Sequence, residues 1–163
     1  MHSSPRIARV LLTAFDAYVD GEQTFRQNAS RLALEDIRGR PPEGVLLDTR
    51  IYPVEFGAIR ERIERDIALG FDAVILTGQS PQSDLIRLEM QAKNIGRDPN
   101  GVNEQFPLAF DGPDKLTTTL DWPEIQAKCS RQEAPLLISN DAGDYLCNAS
   151  LYFAILAAED RMA

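Results

Sequence analysis

Residues 135–148 read PLLISNDAGDYLCN, which is an apolar run, a polar turn that contains glycine, and the beginning of a helical pattern. The apolar residues 135–139 predict a buried strand, and residues 145–158 predict an apolar helix. A strand that leads through a short turn into a helix is the repeating unit of α/β proteins. Open α/β sheets place their sites in loops at the carboxyl ends of the strands. The turn at 140–144 is therefore a candidate functional site.

The rest of the chain repeats this alternation between apolar runs and helical periodicity. The predicted elements are strands at 7–14, 45–54 and 71–77, the last of them central, and helices at 25–37, 56–69 and 122–129. Residues 15–24 predict a loop, and residues 94–121, which are rich in turn-forming residues, predict a long loop or a β-excursion. This order predicts an α/β protein, a three-layer α/β/α sandwich around a mixed, mostly parallel sheet.

Composition limits the classes of partner. The chain has 163 residues, a formal net charge of −8 and 44% hydrophobic residues, which predicts one globular domain over residues 1–163. The acidic balance argues against nucleic acid as a partner. No apolar run is long enough to span a membrane, and residues 1–10 lack the apolar core of a signal peptide. Two cysteines do not make a disulfide framework, so we expect a reduced, cytoplasmic protein.

Two side chains stand out as chemical candidates. Cys147 lies in the first turn of the predicted final helix, where unpaired N–H groups and the helix dipole favour the thiolate. It is a candidate nucleophile, with a small buried apolar side chain as the equal alternative. Cys129 is expected to be structural or at the surface. Glu89 lies in a half-buried stretch where a carboxylate needs a partner, unless it is a solvated strand residue.

The two candidates belong to motifs with a family resemblance. Residues 139–148 resemble the cysteine signature S-N-x-A-G-x-Y-L-C-N of the pyroglutamyl peptidase (pyrrolidone-carboxylate peptidase) family of cysteine peptidases. Residues 78–94 are similar to its glutamate signature, with G, I, E, A and N at matching offsets. Residues 13–18 and 28–30 resemble its amino-terminal segment T-G-F-x-P-F-G…N-P-S. The resemblance implies a phosphorylase/hydrolase-like fold and a cysteine exopeptidase that removes an amino-terminal pyroglutamyl residue from a peptide.

The resemblance also implies roles for six residues. Cys147 matches the nucleophile and Glu89 the catalytic glutamate. The implied substrate-binding residues are two aromatic side chains around the pyrrolidone ring and two polar ones, Phe15, Tyr18, Asn28 and Gln79. The sequence contains no cluster of metal ligands and no glycine-rich phosphate loop, so we expect no metal and no cofactor.

Two of the departures from the family pattern concern the catalytic residues directly; others are Arg87, Gln91, Ala17 and Val19. The family's third catalytic residue is a histidine on a strand after the cysteine helix, whereas this sequence has one histidine, His2. Met90 stands where the family has an arginine, which predicts that Glu89 lacks a nearby cation. Two interpretations stay open: a domain without the family's C-terminal strand and helix, through truncation, or a non-catalytic binding or assembly protein. The apolar surface left by a missing strand predicts a homo-oligomer.

Overall fold

The computed structural model describes residues 7–20, 23–25, 27–80, 83–98, 104–130 and 136–162. Strands and helices alternate through these residues. In chain order they are β1 Ala8–Phe15, β2 Tyr18–Asp20, β3 Gln23–Phe25, α1 Ala29–Gly39, β4 Val45–Tyr52, α2 Phe56–Ile67, β5 Ala73–Leu76, β6 Ile86–Glu89, β7 Gln91–Lys93, β8 Lys115–Thr117, α3 Trp122–Ser130, β9 Leu136–Ser139 and α4 Leu146–Met162. The predicted α/β class is confirmed.

The first compact unit consists of the described part of residues 1–55 together with residues 69–79. Its main sheet is parallel, with β1 between β4 and β5. The prediction that the strand at 71–77 is central is therefore wrong for this sheet, because β1 is the central strand and β5 lies at an edge. The apolar runs of β1 and β5 are similar in the sequence, but only β1 is buried on both faces, from Leu11 to Phe15.

A short antiparallel hairpin follows β1 in this unit. β2 pairs with β3, and Tyr18 lies opposite Phe25. The sequence predicted a loop at 15–24, because two strands of three residues each are too short to show a period of two.

Helix α1 covers one face of the parallel sheet. Asn28 caps its N-terminus, since the side chain of Asn28 accepts a hydrogen bond from the Ser30 N–H. Leu34 is buried against Leu12 and Ala14 of β1. Helix α1 therefore packs against this face of the sheet through Leu34, with Leu47 and Ile51 of β4 beside it.

The second compact unit consists of α2 with its next residue, 56–68, and the described part of residues 80–163. It contains a parallel pair, β6 with β9, and an antiparallel pair, β7 with β8. The helix α2 packs against α4. Ile59 and Ile63 are both 1% exposed, as their spacing of four predicts for one apolar helix face.

Helix α4 is the central helix of this unit. It packs against α2, β7 and β8, with Ala149 and Tyr152 fully buried. The Tyr152 hydroxyl donates a hydrogen bond of 2.9 Å to the Pro113 carbonyl, which ties the helix to the segment before β8. No helix in the described residues is both long enough and apolar enough to cross a membrane.

Candidate active site

The turn between β9 and α4 has the geometry that the sequence predicts. Cys147 is the second residue of α4 and lies in its first turn. Gly143 has a φ of +80°, a conformation that glycine adopts without steric cost, and its N–H donates a 3.1 Å hydrogen bond to Asp141 Oδ1. The chain therefore reverses sharply after β9 and presents the thiol at the beginning of the helix.

Ser139 anchors this turn from the end of β9. Its side chain is buried, and its Oγ accepts a 3.2 Å hydrogen bond from the Asp141 N–H. The Lys93 ammonium lies 3.1 Å from Asp141 Oδ1, and this contact, with the Gly143 N–H, lowers the pKa of the Asp141 carboxyl. The turn is thus held by one buried hydroxyl and one ion pair.

Glu89 lies beside this turn because β6 pairs with β9. Glu89 is in register with Ser139, so the carboxylate lies next to the end of β9, where the turn begins. The Arg87 Nε is 3.0 Å from Glu89 Oε1. Successive side chains of a strand point to opposite faces of the sheet. The side chains of residues 87 and 89 therefore lie on the same face, which is not the face of residue 90.

The prediction that Glu89 lacks a nearby cation is therefore wrong. Met90 does not carry the charge, but Arg87, two residues earlier, does. The sequence contains the signal, since an i, i+2 pair of opposite charges on a strand is a contact that the pleat itself creates.

The second carboxylate oxygen of Glu89, Oε2, differs from Oε1 in its hydrogen bonding. Oε2 is buried and has no hydrogen-bond partner in the described residues. Because an unpaired buried acceptor is unfavourable, this oxygen is suited to receive a donor group.

The Cys147 thiol is less acidic than the sequence predicts. Cys147 keeps a solvent-exposed surface, but the protein packed around its thiol raises its pKa by desolvation. The negative charge of Glu89 raises the pKa further, and the positive charge of Arg87 lowers it. The expectation that the helix N-terminus favours the thiolate is thus outweighed by desolvation and a neighbouring carboxylate. This influence of Glu89 agrees with the register of β6 and β9, which places Glu89 opposite Ser139, where the turn toward Cys147 begins.

Asn148 fixes the beginning of α4, a role that the sequence did not reveal. Its side chain is 0% exposed, and its Nδ2 donates to the Lys93 and Ile95 carbonyls at 2.9 and 2.8 Å. Its Oδ1 accepts a 2.9 Å hydrogen bond from the Lys93 N–H. A single buried amide therefore locks the cysteine-bearing turn of α4 onto β7.

The two predicted aromatic residues of the site lie in the first unit. Phe15 is 6% exposed, and its ring centroid lies 6.3 Å from that of Tyr52. Tyr18 is half-buried and begins the β2–β3 hairpin. Their role around a pyrrolidone ring stays a prediction.

The two predicted polar residues are part of the hydrogen bonding around α1. Asn28 is 2% exposed, and its Nδ2 donates a 3.1 Å hydrogen bond to the Asp16 carbonyl. Gln79 Oε1 accepts a 2.7 Å hydrogen bond from the Ala29 N–H. Both thus have structural partners, and their substrate-binding role stays a prediction.

The second unit also contains a cavity, which neither Cys147 nor Glu89 lines. A shallow cavity of about 280 Å³ is lined by Asn94, Ile95, Gln105, Phe106 and Pro107, not by Cys147 or Glu89. Within the ranges that the structure describes, no three His, Cys, Asp or Glu side chains are grouped to hold a metal ion. The one histidine of the sequence, His2, lies outside those ranges.

A thiol in the first turn of a helix, with a carboxylate nearby, is an arrangement that suits the nucleophile of a cysteine hydrolase. The comparison with known families is more specific. The family model described as pyroglutamyl peptidase matches residues 8–162. The chain therefore belongs to the pyroglutamyl peptidase family.

Curated relatives agree with this assignment. The chain is 31% identical over 149 residues to a pyrrolidone-carboxylate peptidase of Chromobacterium violaceum, covering 88% of this chain and 69% of that protein. It is 33% identical over 150 residues to a pyrrolidone-carboxylate peptidase of Thermococcus onnurineus, covering 88% and 72%. The relatives are thus peptidases named for the pyrrolidone-carboxylate group.

Solved structures share the fold. A mutant pyrrolidone carboxyl peptidase of Pyrococcus furiosus matches with a TM-score of 0.82 and 27% identity, over 94% of this chain and 75% of that chain. The pyrrolidone carboxyl peptidase of Fervidobacterium islandicum AW-1 matches with a TM-score of 0.82 and 26% identity, over 94% and 74%. The fold that the motif resemblance implied is confirmed.

Proposed function

We propose that this chain is a cysteine exopeptidase that removes an amino-terminal pyroglutamyl residue from peptides. The observation that carries the proposal is the placement of the Cys147 thiol in the first turn of α4, one loop after Ser139, the residue of β9 that pairs with Glu89. Cys147 and Glu89 lie on the two motifs that match the family signatures. Family membership supplies the substrate class, since the curated relatives are pyrrolidone-carboxylate peptidases.

The reaction that follows has two steps. The Cys147 sulphur attacks the pyroglutamyl carbonyl, a carbon–sulphur bond forms, and the carbon–nitrogen bond to the next residue breaks. The proton that the Cys147 thiol gives up goes to the departing amine. Water then hydrolyses the thioester: its hydroxyl joins the carbonyl carbon to release pyroglutamate, and its proton returns to the sulphur. Backbone N–H groups in the first turn of α4 are suited to stabilise the oxyanion.

Glu89 contributes through its buried Oε2. A carboxylate with one paired oxygen and one unpaired oxygen can orient a donor that delivers the proton to the leaving amine. In the family that donor is a histidine, and the one histidine of this sequence is His2. General acid–base help of this kind is typically worth about 10²–10⁴-fold in rate.

Hydrolysis of a pyroglutamyl aminomethylcoumarin amide tests the proposal. We expect turnover by the wild type and by Cys129→Ser, and its loss in Cys147→Ser, because Cys129 lies in α3 and is not part of the site. Cys129→Ser is the matched control for the loss of one thiol. Equal background rates in the wild type and in Cys147→Ser would contradict the proposal.

The raised pKa of the Cys147 thiol favours a second candidate function. A thiol that is protonated at neutral pH is a weak nucleophile, which suits a non-catalytic protein that binds or assembles around pyroglutamyl groups. Calorimetric titration with a pyroglutamyl amide distinguishes the two functions. Binding of equal affinity in the wild type and Cys147→Ser, without turnover in either, supports this candidate, and absence of heat at millimolar ligand contradicts it.

The remaining proposals concern partners and place of action. We propose a pyroglutamyl peptide as the ligand, the cytoplasm as the compartment, and self-association into a homo-oligomer. Large apolar side chains support the last point, since Leu46 and Ile75 are 58% and 50% exposed in the first unit. Size-exclusion chromatography with light scattering is expected to show a species larger than 18.2 kDa, and a clean monomer would contradict it.

A further inference from the structure

We propose that Arg87 is a positioning residue that ties Glu89 to the turn carrying Cys147. The inference deepens the proposed function and rests on it, since it takes Cys147 and Glu89 to be the catalytic residues. Its geometric basis is independent of that function, because one guanidinium contacts both Glu89 and the turn that leads to Cys147. Nothing in the motif resemblance gives position 87 a role.

The guanidinium of Arg87 connects two segments. Its Nε pairs with Glu89 Oε1 at 3.0 Å within β6. Its Nη2 donates to Ser139 Oγ at 2.7 Å and to the Asp141 carbonyl at 2.5 Å, at the end of β9 and in the turn. The planar, always charged guanidinium presents several N–H groups in a fixed arrangement, which suits three acceptors on two segments.

The contacts of Arg87 also decide which oxygen of Glu89 stays available. Oε1 is engaged by Arg87, whereas Oε2 is buried without a partner among the described residues. Arg87 thereby holds the carboxylate in one orientation and keeps one acceptor free. Loss of Arg87 would release both the carboxylate and the Ser139–Asp141 end of the turn.

The neighbouring charges do not offer a substitute cation for Glu89. Lys93, on β7, is paired with Asp141 at 3.1 Å. Arg97 is paired with Asp144 at 3.0 Å, on the other side of the same turn. The charged groups that act on the Cys147 thiol are Glu89, which raises its pKa, and Arg87, which lowers it. Removal of Arg87 therefore leaves the effect of Glu89 unopposed.

The test measures the pH dependence of Cys147 alkylation by iodoacetamide in the Cys129→Ser background, so that one thiol reacts. Arg87→Gln is expected to move the midpoint to higher pH. The double variant Arg87→Gln/Glu89→Gln is expected to move it back below that of Arg87→Gln, because Arg87 acts through the carboxylate. Arg60→Gln is the matched control, since Arg60 pairs with Glu64 on α2 and should leave the midpoint unchanged.

Arg87→Lys keeps the positive charge but loses the planar set of N–H donors of the guanidinium. It therefore distinguishes an effect of the charge from an effect of the hydrogen bonds that position Glu89 and the turn. We expect it to retain the alkylation midpoint more closely than Arg87→Gln and still to lower kcat for the pyroglutamyl amide. It also serves as the measurable variant if Arg87→Gln does not fold. A folded Arg87→Gln with the wild-type midpoint, or Arg87→Lys with wild-type kcat, would overturn the inference. If the midpoint moves as expected and no variant, wild type included, hydrolyses the amide, Arg87 positions the pair and the proposed function fails.

Discussion

At the scale of single residues, Glu89 influences the pKa of the Cys147 thiol. Burial raises the pKa of the thiol first, and the carboxylate of Glu89 raises it further. Reactivity of Cys147 is therefore expected to increase with pH on the alkaline side of neutrality, since the thiolate is the reactive form.

Replacement of the carboxylate tests this electrostatic effect. Glu89→Gln is expected to lower the pH at which the Cys147 thiolate appears, because the neutral amide removes the repulsion while desolvation remains. Thiolate ultraviolet absorbance, measured against pH in the Cys129→Ser background, reports the midpoint directly. A midpoint that stays constant or rises would show that Glu89 is not near the thiol.

Asn28 illustrates a residue with an implied binding role and an observed structural one. Its side chain caps α1 by accepting from the Ser30 N–H at 3.1 Å. Asn28→Ala is expected to lower the free energy of unfolding by about 1–2 kcal/mol, as for other N-cap deletions. Asn28→Asp keeps the capping acceptor but loses the Nδ2–H that donates to the Asp16 carbonyl at 3.1 Å and buries a charge, so it is expected to lower the stability as well. Urea denaturation measures both, and an unchanged stability in Asn28→Ala would contradict the capping role.

Among the elements, the segment that follows β7 is fixed by close packing around a glycine. A Cβ added at Gly96 would lie 2.7 Å from Leu108 Cδ2 and 2.8 Å from Phe56 Cζ. The rings of Phe56 and Phe106 already meet edge to face at 5.3 Å, so they have little room to move. The segment at 95–97 is thus held between α2 and residues 106–108.

A pair of glycine substitutions tests this packing. Gly96→Ala is expected to lower the free energy of unfolding by about 1–3 kcal/mol, the usual cost of overpacking. Gly57→Ala on α2 is the matched control, because a Cβ there meets nothing within 4 Å, and it is expected to change stability by less than about 1 kcal/mol. Thermal unfolding of both variants gives the comparison. Equal effects at the two positions would show that residue 96 is not closely packed.

At the scale of the whole molecule, the sequence predicted those helices and strands in which apolar residues recur at a regular spacing or form a continuous run. The spacing of Ile59, Ile63 and Ile67 identified α2, and the apolar run in β1 identified a buried strand. The hairpin of β2 and β3 was not predicted, because three-residue strands carry too few side chains to show alternation. The strand β8 lies in residues 94–121, for which the sequence predicted a loop or a β-excursion. The order of strands in a sheet depends on long-range pairing and has no local signal.

The candidate site was predicted in part. The placement of Cys147 at the start of α4 followed from a strand, a glycine turn and a helical pattern in series. The Arg87–Glu89 pair and the role of Asn148 were missed, because both depend on which strand lies next to which. The acidity of the thiol was predicted in the wrong direction, since desolvation is a property of the folded surroundings rather than of the sequence position.

The most direct test of the central claim is to identify which thiol is acylated by an activated pyroglutamyl ester, whose leaving group departs without a general acid. We predict a pyroglutamyl thioester on the peptide that contains Cys147, found by mass spectrometry after acid quenching, and none on the peptide that contains Cys129. Labelling of Cys129 alone, equal labelling of both, or no labelling of Cys147 in the folded protein would contradict the account.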